Sequence, residues 1–173
     1  ATAEVCMAQS NCEDYIVGPE VIKASPLGTE LSDEQCGKLA EIVSECCLKQ
    51  GEFLFEEGHK DDSLHVITKG TLDVVRSTGG NDLVSLHVLH EGDMVGALGF
   101  IDGIEHSAGV RALNNCEVFT LHRDDLESLL RQDAGLVYKV MRAITRTVHA
   151  ILLRMNIQYV EMNNYIMRQH GRY

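Results

Sequence analysis

Residues 51–75 read GEFLFEEGHKDDSLHVITKGTLDVV, and the spacing of the apolar residues in this stretch decides the fold class. They follow a period of two, not 3.6, in short runs closed by glycine and aspartate turns. The same rhythm continues outward through LVSLHVLHEG (83–92), AGVRAL (108–113) and CEVFTLHR (116–123), with STGGND (77–82) as a hairpin turn between two runs. Short strands at this regular interval predict a barrel or roll, not a parallel α/β sheet.

Helical periodicity flanks the strands. Upstream, Ser32 caps a predicted helix and Gln35 completes a capping box, with Cys36, Leu39, Ile42, Val43 and Cys46 on one face as far as Gly51. Downstream, DLESLLRQ (125–132) reads as a short helix and a longer one starts near Gly135. In the long helix Val137, Met141, Ile144, Val148, Ile151, Met155, Gln158, Met162 and Tyr165 step alternately by four and three. A heptad seam of this kind predicts two helices side by side, hence a homodimer. The same spacing also fits a helix lying on its own barrel. A second apolar face (Leu136, Val140, Ala143, Leu152, Tyr159) could meet the barrel while the seam meets a partner.

Composition narrows the function classes. The net charge of -11 is uneven: residues 131–173 hold seven Lys/Arg against Asp133 and Glu161, a local +5 that leaves -16 on the rest. An acidic body repels nucleic acid, so no DNA binding by this chain alone is expected. No apolar run approaches the length of about 18 residues that spans a bilayer, so no membrane partner is expected. The opening ATAEVCMAQSNCEDYIVG lacks the basic-then-apolar pattern of a signal peptide. Cys6, Cys12, Cys36, Cys46, Cys47 and Cys116 are spaced neither as a disulfide framework nor as a CxxC metal site, which favours a reduced, cytoplasmic protein. The vicinal Cys46–Cys47 pair fits a redox switch or simple core packing. No G-x-S-x-G elbow, Walker loop or H-E-x-x-H is present, so no catalytic residues are assigned and a non-enzyme is expected.

The glycine pattern of residues 51–75 (Gly51, Gly58, Gly70), with EGDMVGALGFIDGIEHSAGVRALNNCEVFTL (91–121), resembles the cyclic-nucleotide-binding domain family. That family takes in the catabolite activator protein, kinase regulatory subunits and nucleotide-gated channels. The likeness covers roughly residues 26–155. It implies an α+β, mainly β fold: a β-roll of the jelly-roll or double-stranded β-helix type, flanked by N-terminal helices and a long C-terminal dimerisation helix. The expected divisions are an extension (1–25), the β-roll with its flanking helices (26–132), and the long helix with its tail (133–173).

The resemblance also implies a phosphate-binding cassette at Val95, Gly96, Ala97, Leu98, Gly99, His106, Ser107 and Ala108. Amides at the start of a short helix favour a negative charge, and glycine lets the backbone approach. Two positions depart from the family pattern. Ala97 stands where an acidic residue takes the ribose hydroxyl, and His106 where an arginine takes the phosphate. Over the ligand, the long helix would place Val148, Ile151 and Leu152, of which Ile151 and Leu152 replace a polar pair. Each lost charge-assisted bond costs about 1.5–3 kcal/mol, so ordinary cyclic AMP affinity is not expected. The effector is then a cyclic nucleotide bound differently, or another small anionic or apolar molecule, with no cofactor certain.

His65, His87, His90, His106 and His122 raise haem or metal binding, but no helical HxxxH or CxxC supports a metal site, and none is assigned. An iron–sulfur cluster lacks its roll cysteine, since Phe119 stands there. Three readings follow: a stand-alone sensory dimer acting on a protein partner, the sensor half of a bacterial transcription regulator without its helix-turn-helix domain, and a haem or redox sensor on the same fold. The closing EMNNYIMRQHGRY (161–173) reads as an ending, and a shortened chain would read the same.

Overall fold

The computed structural model describes residues 17–79 and 82–170. Gly80 and Asn81 of the hairpin turn, the first sixteen residues with Cys6 and Cys12, and residues 171–173 lie outside them. Among the described residues eight strands form two four-stranded antiparallel sheets, one ordered β1-β8-β3-β6 and the other β2-β7-β4-β5. The strands are β1 (Ser44–Leu48), β2 (Phe53–Phe55), β3 (Ser63–Lys69), β4 (Leu72–Ser77), β5 (Leu83–Leu89), β6 (Met94–Val95), β7 (Gly109–Ala112) and β8 (Cys116–His122). Helices α1 (Pro19–Ala24), α2 (Asp33–Ala40), α3 (Ala97–Asp102), α4 (Arg123–Ser128) and α5 (Ala134–His170) surround them. This is the β-roll with flanking helices that the sequence implied.

Alternation along β3 and β8 separates two cores. Leu64, Val66, Phe119 and Leu121 face outward onto a cluster that includes Ile22, Leu39, Phe100, Leu136, Val140 and Ile144 from the helices. Ile67 and Val118 face the roll interior with Leu54, Phe55, Leu72 and Val110. The inward positions nearer the cassette, Ser63, His65 and Thr120, are buried and polar. One interior thus runs from apolar to polar along two neighbouring strands, and this gradient positions the site.

Local signals explain the helix boundaries. The capping box forms as expected: the Gln35 amide donates to Ser32 Oγ and the Ser32 amide to Gln35 Oε1, both at 3.2 Å. Asp133 starts α5, its Oδ1 accepting from the Leu136 amide at 2.9 Å. The predicted extension of α2 to Cys46 does not occur. Residues 44–48 pair with β8 from Ser44↔Thr120 to Leu48↔Cys116. Ile42, Val43 and the two cysteines are weak helix formers, so ladder pairing outweighs a helical face.

Two further expectations change. Val137 and Ile144, assigned to the dimer seam, are 7% and 0% exposed and belong to the chain's own core. Met141 and Val148 are partly buried against the same cluster. A heptad spacing does not say which body covers it, and here the first half of α5 is covered by α1, α2 and sheet residues. Cys46 and Cys47 each take part in a disulfide bond, while Cys36 and Cys116 are free thiols. The expectation of six reduced cysteines therefore fails, and with it the redox argument for a cytoplasmic location; sequence spacing does not show which thiols a fold brings together. Among the described residues no helix is long and apolar enough to cross a membrane.

Replacing Ile144 by alanine should cost about 2–5 kcal/mol of unfolding free energy, because the side chain is fully enclosed. Urea unfolding measures this, and a loss below about 1 kcal/mol would return Ile144 to the seam.

Candidate functional site

Gly96 opens the cassette. Its φ of 83° lies in the left-handed region, and the Phe100 amide bonds back to its carbonyl at 2.9 Å to start α3. A Cβ on Gly96 would stand 2.6 Å from the Ser63 carbonyl oxygen, and one on Gly99 3.1 Å from His106 Cε1. At position 96 only glycine lets α3 lie this close to the polar end of the roll. Val95 faces the inner core, Ala97 is buried in the outer one, and Leu98 is exposed. Ser107 is exposed and Ala108 half-buried, so neither is enclosed with His106.

His106 is turned inward, its side chain 8% exposed. Its Nε2 lies 3.1 Å from Asp61 Oδ1, and its ring stacks on Phe55 with centroids 3.8 Å apart and planes 18° from parallel. Backbone bonds lock the same region: the His106 amide donates to the His59 carbonyl and the Gly58 amide to the His106 carbonyl, both at 2.8 Å. Asp61 Oδ1 also accepts from the Ser63 amide at 3.1 Å. Asp61 Oδ2 is buried, has no hydrogen-bond partner, and lies 3.5 Å from His59 Nε2. Burial works against the ionised carboxyl, but His106, the Ser63 amide and the nearby imidazole charges outweigh it and hold Asp61 below its ordinary range.

Behind this pair, His65 Nδ1 is hydrogen-bonded to Thr120 Oγ1 at 2.8 Å and its Nε2 is unpartnered. Ser63 Oγ meets His122 Nδ1 at 2.9 Å. Full burial lowers His65 to about 4, with the His106 and His122 charges adding to the effect and Asp61 opposing it. His65 is therefore a neutral ring at physiological pH.

Asp61, His59, Phe55 and Thr120 were not among the residues expected at the site. The signal for the polar wall was present in Ser63-Leu64-His65, where the inward-facing positions of a buried strand are both polar. His87 and His90 lie apart from the wall. His87, on β5, meets Arg154 of α5 at 2.9 Å, Arg154 Nη1 donating to Nε2, and His90 follows the end of β5. Arg111 is engaged by Asp73 at 3.6 Å. Among the described residues no three His, Cys, Asp or Glu side chains gather closely enough to hold a metal ion. Ile151 and Leu152, expected over the ligand, are 42% and 55% exposed. Two surface hollows, one lined by Lys49, Lys69 and Glu117 and the other by Glu30, Arg146 and Ala150, lie away from the cassette.

The family model described as cyclic nucleotide-binding domain matches residues 45–133, and the chain belongs to that family. It is 31% identical over 124 residues to an uncharacterized NTE family protein of Mycobacterium tuberculosis, covering 70% of this chain and 20% of that protein. It is 30% identical to the cAMP-dependent protein kinase regulatory subunit of Candida albicans, covering 75% of this chain and 25% of that one. The crystal structure of the N-terminal domain of a transcriptional regulator from Streptomyces coelicolor superposes with a TM-score of 0.66 at 28% identity, covering 78% of this chain and 94% of that one. The chain thus spans a fifth to a quarter of these two curated relatives.

Stability should fall with acid in a defined window. Below pH 6.5 the unfolded chain protonates His65 while the folded chain does not until about 4, so unfolding is favoured progressively between those values. The loss should be on the order of a few kcal/mol. Urea midpoints across that range should drop in the wild type and drop less in His65→Gln; equal slopes would remove His65 as the cause.

Proposed function

We propose that this chain is a non-enzymatic sensory module that reads a small effector at the cassette with a specificity altered from that of its family, and that it works as a homodimer. The reading rests above all on the buried Asp61–His106 pair. In place of a permanently charged arginine aimed at a phosphate, the cassette has an imidazole whose Nε2 already serves an internal carboxylate. Ala97, buried in the outer core, offers no acceptor for a ribose hydroxyl. An effector must bind without either anchor or displace Asp61 from His106. Both routes weaken a cyclic nucleotide relative to a site holding Arg and Glu, by several kcal/mol at about 1.5–3 kcal/mol per charge-assisted bond.

The dimer surface would be the outer half of α5. From Ile151 onward Leu152, Met155, Ile157, Tyr159, Val160, Met162 and Ile166 are all exposed, more apolar side chain than a single helix leaves in water without a partner. A second copy laid along this half satisfies the seam at Ile151, Met155 and Met162, and Val137 and Ile144 take no part in it.

A second reading has its own support. The structural neighbour from Streptomyces coelicolor is the N-terminal domain of a transcriptional regulator and is almost entirely covered by this chain. On that reading the chain is the sensor half of a longer regulator, with the signal leaving through the same helix.

Thermal unfolding with millimolar cyclic AMP and cyclic GMP tests the ligand site. A ligand bound only by the folded state stabilises by about 2.7 kcal/mol at a hundredfold excess over Kd; a shift smaller than that given by an Ala97→Glu/His106→Arg variant is expected. Equal shifts for both proteins would contradict the altered specificity. For the dimer, Ile151→Glu with Met155→Glu should sediment as a monomer with its melting point preserved, and a persistent dimer would place the interface elsewhere.

A further inference from the structure

We infer that β1 anchors a redox-sensitive double tether: Cys46 and Cys47 are crosslinked separately to Cys6 and Cys12, fastening the start of the chain to the roll until a dithiol releases it. Each of the two β1 cysteines takes part in a disulfide bond, and the geometry of the strand keeps them from bonding each other. They are consecutive residues of a regularly paired strand, Cys46 opposite Val118 and Cys47 opposite Glu117. Successive side chains of such a strand point to opposite faces. Their Cα atoms stand about 3.8 Å apart across a trans peptide, closer than the roughly 4.4–6.8 Å that a disulfide spans.

Burial separates them in the same way. Cys46 is 5% exposed and sits in the inner core with Leu48, Cys116 and Val118, whereas Cys47 is half-buried. The two bonds therefore leave β1 in opposite directions and need two different partners. Cys36 and Cys116 are free thiols, and the Cys116 thiol is engaged elsewhere, donating to the Thr71 carbonyl at 3.2 Å. Of the six cysteines in the sequence, Cys6 and Cys12 are left. β1 is also the edge strand of its sheet, with β8 on one side, so another segment can reach it from the other.

The two crosslinks differ in access. A dithiol must reach the sulfur that it attacks, so the Cys47 bond opens before the Cys46 bond, which the inner core encloses. Each opening takes two electrons and two protons from the dithiol: the S–S bond breaks, two thiols form, and the dithiol closes to its own disulfide. Opening one bond leaves the tether held at a single point, and opening both releases it.

Trypsin separates the possible pairings. Cleavage after Lys23, Lys38 and Lys49 puts Cys6 and Cys12 on fragment 1–23 and Cys46 and Cys47 on fragment 39–49. The full chain, alkylated without reduction and then digested, should yield these two fragments joined, lighter than the reduced pair by the hydrogens of two disulfides. The undigested chain should run as a monomer on a non-reducing denaturing gel. Fragment 39–49 running alone, or a crosslinked dimer on the gel, overturns the tether. For the release, a dithiol should lower the thermal midpoint of the wild type. The Cys6→Ser/Cys12→Ser variant should begin at that lower midpoint and not move further. A wild-type midpoint that the dithiol leaves unchanged overturns the redox sensitivity.

Discussion

A carboxylate enclosed by protein stays ionised only if its surroundings replace the water it has lost. Asp61 meets that condition chiefly through His106 and the Ser63 amide, and much of the site's organisation follows from it. To bring His106 within 3.1 Å of Asp61, residue 106 must bond to the loop at Gly58 and His59, and α3 must lie flat on the wall, which glycines at 96 and 99 allow. Phe55 closes the remaining face by stacking on the His106 ring. The cassette and the roll interior are therefore one packed unit.

The long helix has two halves with different tasks. Leu136, Val140 and Ile144 anchor it in the core with α1, α2 and the outer face of β3 and β8. Glu30 holds the next turn through Arg142, at 2.7 Å, and Arg146. Beyond Val148 the helix leaves the core, touching the roll through Arg154 and His87 while its apolar side chains stay exposed.

Much of this was legible in the chain itself. Period-two runs gave the strands, Ser32 and Gln35 the start of α2, and the spacing of glycines the cassette. The failures have physical causes. The apolar spacing of β1 suits helix or strand over so few residues, and only pairing with β8 decides between them. Val137 and Ile144 fit a seam by spacing because periodicity defines a face without naming what covers it. Asp61 was missed because its partner is 45 residues away in sequence, and nothing local announces that a loop carboxylate and a cassette histidine will meet. The inward polar pair Ser63 and His65 was the available clue, since a polar residue on the inner face of a buried strand needs a partner.

The central claim is that Asp61 and His106 form one energetic unit that takes the place of the family's permanent charge. A double-mutant cycle with Asp61→Ala, His106→Ala and the double variant, read by urea unfolding near neutral pH, measures it most directly. A coupling of about 1–3 kcal/mol is expected, because each single change strands a buried partner. Additive losses, with a coupling within about 0.3–0.5 kcal/mol of zero, would show that the two side chains are neighbours without being a pair, and the account of the site would not stand.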